Sequence, residues 1–345
     1  MDRLIPQPSR SRFIPALFGV GIAAVILAGT GFVAASRHAP TRQADAAAPL
    51  TTVKVVMGYG ADVQFAPFYA AVKLGYYRAA GLNVSFNYAT EPNALQLLSS
   101  GSVDFVDSGG DEVLAAGAAG LHVKYVMTQY SRFPSALFFL KSSGITKVSD
   151  LKGKTIGVPA ENGASYYGLL ALLGANGVPA SSVQIESIGY AQVSEVAAGK
   201  VNAAMGYAPN EPVELRSTGK SVGEFDVYHW ANIAGAGLAT STSMIAHKPA
   251  LVRAFVRATL HGLRYTISHP KKAFTISAAS IPNLTNLSLQ RQVLNRAIDF
   301  WKPAGVALGR MDPNVWRKTA DVLYRYKVVT KPVTATSYYT NQFVK

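Results

Sequence analysis

The sequence predicts an α/β protein of two lobes, each a mostly parallel sheet with flanking helices, with a cleft between the lobes. Three observations carry this. Short β-branched and aromatic runs alternate with helical stretches from Val53 to Tyr130, the pattern of strand–helix–strand units. The alternation restarts near Val148 and continues to Tyr207. After Leu238-Ala239-Thr240-Ser241 the chain turns helical, with Pro249 at a helix start, where its missing N–H costs nothing.

The elements follow in order. Val53–Met57 is a strand by its β-branched content. A loop from Gly58 to Gln64 leads into a helix over 67–74. Leu82–Tyr88 alternates as a strand, 93–100 is helical, and Val103–Val106 is a short strand. Small residues make a helix of 110–119, and 123–130 is a strand. In the second unit, strands are expected at 155–158, 183–188 and 203–207, with helices at 163–176 and 192–198. C-terminal helices are expected at 249–268, 271–279, 288–301 and 313–326. Two crossovers, Ala136–Lys141 and Ser243–His247, then divide the chain. Residues 51–140 and 245–345 form lobe 1, and residues 141–244 form lobe 2. Paired connections of this kind make a hinge.

A chain of 345 residues with 49% apolar and 15% charged residues buries a large core. Residues 1–50 are read apart from it. Phe13–Ala35 carries no charge and follows Arg3, Arg10 and Arg12, the layout of an export signal. Its 23 residues also suffice to span a bilayer. Cleavage near Val33-Ala34-Ala35 and retention as an N-terminal membrane anchor both fit. Arg37–Leu50 reads as a linker. The expected location is therefore exported, periplasmic or extracytoplasmic, free or tethered. There is no cysteine, so disulfides, cysteine metal sites and a lipoprotein anchor are excluded.

Net charge is +14, and +12 once the first 35 residues are set aside. The basic residues are scattered, without an aromatic-interleaved stripe, which argues against a nucleic-acid partner. The six histidines show no metal-ligand spacing. No nucleophile motif, phosphate loop or dinucleotide glycine pattern occurs, so neither a metal nor a cofactor is expected.

Ligands of open α/β sheets bind beyond the carboxyl ends of the strands. Asp62, Gln64 and Phe65 sit there after the first strand, and Tyr69, one turn into the helix, faces either the ligand or the core. Asp107-Ser108-Gly109 follows the third strand, and Ser108 either meets a ligand or caps the next helix. Tyr130 and Ser131 lie at the same level. Tyr207, Asn210 and Glu211 end an apolar run in an amide and a carboxylate, which suit a heterocycle with mixed donors and acceptors. The alternative for Glu211 is a charge at a helix N-terminus.

Three stretches carry a family resemblance. They are Gly75-Tyr76-Tyr77-Arg78-Ala79-Ala80-Gly81-Leu82, Asp150-Leu151-Lys152-Gly153-Lys154, and Asn210-Glu211-Pro212 with Gly163-Ala164-Ser165-Tyr166. In order and spacing the chain resembles the periplasmic substrate-binding proteins of vitamin and nitrate/sulfonate/taurine importers. The third stretch resembles the branch that binds riboflavin and thiamine-pyrimidine precursors. The resemblance implies a periplasmic-binding-protein fold of type II. It implies that Asn162, Gly163, Ala164, Ser165 and Tyr166 hold a ligand's polar edge, Tyr166 by stacking. It also implies a monomeric, non-enzymatic receptor that closes on a small molecule and delivers it to an ABC-transporter permease with a cytoplasmic ATPase. The alternatives are a receptor for an alkanesulfonate, taurine or nitrate, and a pyrimidine-synthesis enzyme. The enzyme reading is disfavoured because the related enzymes use a cysteine-rich segment.

Overall fold

Two five-stranded sheets organise the chain in the computed structural model, which describes residues 49–88 and 91–344. The expected export segment Phe13–Ala35, and the linker up to residue 48, lie outside the described residues. Among the described residues no helix is long and apolar enough to cross a membrane.

The chain begins with β1 (Thr51–Met57), α1 (Ala66–Lys73), α2 (Tyr76–Ala79), β2 (Leu82–Tyr88), α3 (Glu91–Ser99), β3 (Phe105–Gly109), α4 (Gly110–Ala118) and β4 (Val123–Thr128). It continues with β5 (Ser135–Leu140), β6 (Thr155–Val158), α5 (Gly163–Ala175), β7 (Gln184–Ser187), α6 (Gln192–Ala197), β8 (Ala203–Tyr207), α7 (Glu211–Ser217) and β9 (Val222–Asp226). It ends with β10 (Ala236–Ser241), α8 (Thr242–His247), α9 (Pro249–Ser268), α10 (Pro270–Ser280), α11 (Leu287–Trp301) and α12 (Pro313–Arg325).

The sheets share one design. Strand order is β2-β1-β3-β10-β4 in the first and β7-β6-β8-β5-β9 in the second. In each, four strands are parallel and the fourth in order runs antiparallel. That antiparallel strand comes from the other half of the chain. β5 enters the second sheet straight from β4, and β10 returns from β9 to the first.

This exchange corrects the expected crossovers. Ser135-Ala136-Leu137-Phe138-Phe139-Leu140 is a strand because its run of apolar residues from Ala136 to Leu140 suits a sheet covered on both faces. Ser243–His247 belongs to α8. The connections between sheets are instead residues 129–134 and 227–235. Sheet membership therefore differs from the expected limits, 51–140 with 245–345 and 141–244, by one strand on each side.

Helices cover both faces of each sheet. Alternate strand residues point to opposite faces, so Val53, Val55 and Met57 of β1 join one core and Val56 the other. The first core is closed by α1, α9, α10 and α11. The amphipathic α9 buries Val252, Phe255, Val256, Leu260 and Leu263 there at helical spacing. The second is closed by α3, α4 and α12. The second sheet splits likewise, with Leu137 and Phe139 facing α5, and Phe138 facing α6 and α7. The consequence for function is a fixed one: all parallel strands are pinned, and the loops at their carboxyl ends are held in place.

A cleft lined by aromatic rings and carboxyl groups

Loops from the carboxyl ends of five parallel strands converge on one cavity of about 330 Å³. That volume lies at the low end of small-molecule sites, roughly 300–1,000 Å³. β1 delivers Gly58 to Phe65, and β3 delivers Asp107 and Glu112. β6 delivers Pro159 to Ser165, β7 delivers Tyr190 and Gln192, and β8 delivers Gly206 to Glu211. Tyr130 of the first connection and Ala236, where β10 begins, complete the lining.

The first wall is built on Gln64. Its backbone N–H donates to Asp62 Oδ1 (2.8 Å), which caps a single 3-10 turn over Val63–Phe65. Its Oε1 accepts from the Tyr130 hydroxyl at 2.7 Å, and its carbonyl accepts from Gln129 Nε2 at 3.0 Å. The loop after β1 is thereby tied to the connection between the sheets. Tyr130 is held in turn by edge-to-face contacts with Trp301 (5.8 Å) and Tyr207 (6.1 Å).

The second wall meets the first at Gly163. This residue has φ +75°, which suits glycine, and it opens α5. A Cβ built there would stand 2.7 Å from Glu112 Oε1, so the carboxyl group of one lobe rests on the helix start of the other. Glu211 folds back over the end of β8. Its Oε2 accepts from the Tyr207 backbone N–H at 2.7 Å, and Asn210 Nδ2 donates to its Oε1 at 3.4 Å. Gly206 leaves room for this, since a Cβ there would come 2.6 Å from Oε2.

Four carboxyl groups, Asp62, Asp107, Glu112 and Glu211, line the cavity, and among the described lining residues none is Lys, Arg or His. Burial disfavours their charged forms. It pushes Asp107 and Glu112 up to about 8, and Glu211 to about 7 against the opposing bonds from backbone N–H groups. Asp62 is raised by burial and pulled back by its bonds to Gln64. Asp111, behind the wall, rises to about 7 by burial. The chain is basic as a whole, yet the cleft is acidic.

Of the residues read from the sequence, Asp62, Gln64, Phe65, Tyr130, Asn162, Gly163, Ala164, Ser165, Tyr207, Asn210 and Glu211 come together in this lining. Three do not. Tyr69 is in the first core, its hydroxyl 3.1 Å from that of Tyr88. Ser108 is fully buried and donates to Glu112 Oε2 at 3.3 Å. Tyr166, three residues into α5, packs beside Tyr167 against the core of α3, α4 and α12. Sequence reasoning reaches Ser108 but not Asp107 next to it. Neighbouring strand residues face opposite sides, and the register that decides between them is invisible in one sequence. The sequence reading also omits Tyr59, Glu112, Tyr190 and Gln192; Tyr59 and Tyr190 lie two and three residues beyond strand ends, and that position is the available signal.

A profile described as NMT1/THI5-like matches residues 62–273. A riboflavin-binding protein, RibY, of Chloroflexus aurantiacus is 40% identical over 325 residues, spanning 89% of this chain and 93% of the relative. A 4-amino-5-hydroxymethyl-2-methylpyrimidine phosphate synthase of Legionella pneumophila is 24% identical, spanning 85% of this chain and 92% of the relative. Among solved structures, the periplasmic aliphatic sulphonate-binding protein SsuA of Escherichia coli superposes with a TM-score of 0.68 at 18% identity, covering 83% of this chain and 91% of that one.

Proposed function

This chain belongs to the NMT1/THI5-like family, and from that membership and the cleft we propose that it is the solute-binding receptor of an ABC importer for a planar nitrogen heterocycle. Riboflavin is the first candidate and a thiamine-pyrimidine precursor the second. The observation that carries the reading is the lining. Rings of Tyr59, Phe65, Tyr130, Tyr190 and Tyr207 offer faces and edges to a flat ligand, and the carboxyl groups offer acceptors to its N–H groups. The 40% identical relative named for riboflavin binding supports the ligand class.

Ligand contacts to both lobes favour the closed arrangement, and the receptor then presents its cargo to a membrane permease. We place it outside the cytoplasm for that reason. The solved sulphonate receptor shares the fold, but a sulphonate entering this cleft meets carboxyl groups and no cation. The synthase relative stands at 24% identity, against 40% for the relative named for riboflavin binding.

A thermal-shift panel of flavins, pyrimidines and small anions at equal concentration tests the reading. Stabilisation by riboflavin or a pyrimidine is expected. Stabilisation by a sulphonate or nitrate alone sinks the ligand class, and turnover of a bound heterocycle sinks the receptor role.

A further inference from the structure

We propose that Asp107 is a ligand contact that takes a hydrogen-bond donor of an uncharged ligand, and that with Glu112 and Glu211 it makes the cleft refuse phosphate esters. The proposal rests on the heterocycle-receptor reading and narrows it to the free, unphosphorylated compound.

Asp107 lies within β3, is 6% exposed and lines the cavity. Its Oδ1 has no hydrogen-bond partner in the protein. Glu112 and Glu211 differ, since each already accepts a bond, from the Ser108 hydroxyl and the Tyr207 N–H. A buried acceptor without a donor is unfavourable. A ligand bringing an N–H or O–H to Asp107 removes that penalty, and one bringing only acceptors leaves it.

A phosphate monoester carries close to two negative charges at neutral pH. Helix N-termini normally receive such groups. Here the protein's own carboxyl groups occupy them. Asp111 and Glu112 stand in the first turn of α4, Glu211 opens α7, and Glu112 covers the start of α5 at Gly163. With no Lys, Arg or His in the described lining, a phosphate in the cavity would be a buried charge without a cationic partner. A phosphorylated source compound must therefore lose its phosphate by ester hydrolysis before capture.

The test titrates the full-length protein with riboflavin and riboflavin 5′-phosphate, and with 4-amino-5-hydroxymethyl-2-methylpyrimidine and its phosphate. The free member of at least one pair should bind about 100-fold more tightly or better, the scale of an unpaired buried charge. Asp107→Leu should weaken the free ligand about tenfold. The double variant Asp107→Asn with Glu112→Gln should narrow the preference. Equal affinity within a bound pair overturns the proposal and leaves the receptor reading standing. Binding of anions alone, or of no compound in either pair, overturns both.

Discussion

Tyr59 and Tyr190 meet edge to face, with ring centroids 5.6 Å apart and planes at 60°. Tyr59 follows β1 of the first sheet and Tyr190 follows β7 of the second, so this pair joins the two walls of the cleft. Both rings keep substantial exposure, 42% and 65%, which places them at its mouth. Glu112 and Gly163 make the corresponding contact deeper in. The two lobes thus touch at an aromatic rim and at a polar floor, with the cavity between.

Removing either ring should weaken ligand binding. Tyr59→Ala and Tyr190→Ala are each expected to lower affinity. A double-mutant cycle by calorimetry should return a coupling of about 0.5–1.5 kcal/mol, the worth of an aromatic pair beyond its buried area. Strictly additive losses would show that the rings act on the ligand separately and not as a gate.

Glu211→Gln should cost about 1–3 kcal/mol of binding if the carboxyl group accepts a buried bond from the ligand. Gly206→Ala is the companion variant, because its Cβ displaces Glu211 without removing it. It should weaken binding in the same direction and less. Wild-type affinity in both variants would confine Glu211 to holding the Tyr207 N–H and the start of α7.

What the sequence disclosed follows from range. Leu82–Tyr88, Thr155–Val158, Ala203–Tyr207 and Pro249–Ser268 are legible as elements because their signals, alternation, short apolar runs and helical periodicity, are local. β5 and β10 were misread because their partners lie far along the chain; Leu137 pairs with Met205 and Leu238 with Asp107. The site divides in the same way. Glu211 and Gly163 open helices after loops, in stretches whose polar or small residues announce them. Asp107 and Tyr190 become cleft residues only when two separate strands set their loops side by side. Tyr166 misled for a related reason: one turn of α5 carries it from the cleft to the core.

The buried carboxyl groups make the ligand-free protein less stable at high pH. Free carboxyl groups titrate near 4, and here Asp107 and Glu112 are raised to about 8, and Asp111 and Glu211 to about 7. Between those limits the folded chain holds protons that the unfolded chain has lost, so stability falls as pH rises. The contribution of these groups is fully present below about pH 4 and gone above about pH 8. Asp111→Asn isolates the effect, because both Asp111 oxygens lack partners and the residue does not line the cavity. An amide does not titrate. The variant should be more stable than wild type by about 1–3 kcal/mol at pH 8 and indistinguishable near pH 4, by thermal melts. A difference that does not change with pH would mean that Asp111 is ionised, or neutral, throughout.

Ligand should also change the shape of the molecule. Among the described residues only 129–134 and 227–235 run directly between the sheets; the first lines the cavity through Tyr130, and the second leads into Ala236, which lines it at the start of β10. Few dihedrals then need to change for one lobe to move on the other. Arg296 of α11 bridges the same side, pairing with Glu224 at 2.9 Å and with Asp226 at 2.7 Å on β9. These ion pairs lie beside the second connection and so restrain the hinge rather than the mouth. Saturating ligand should therefore reduce the radius of gyration in small-angle scattering, as contacts such as Tyr59–Tyr190 become more populated. Arg296→Met, which removes the pairs together with the guanidinium lying over Phe300, should leave the liganded radius unchanged and enlarge the free one. An identical radius with and without ligand, in both proteins, would mean that the cleft is preformed and that binding proceeds without closure.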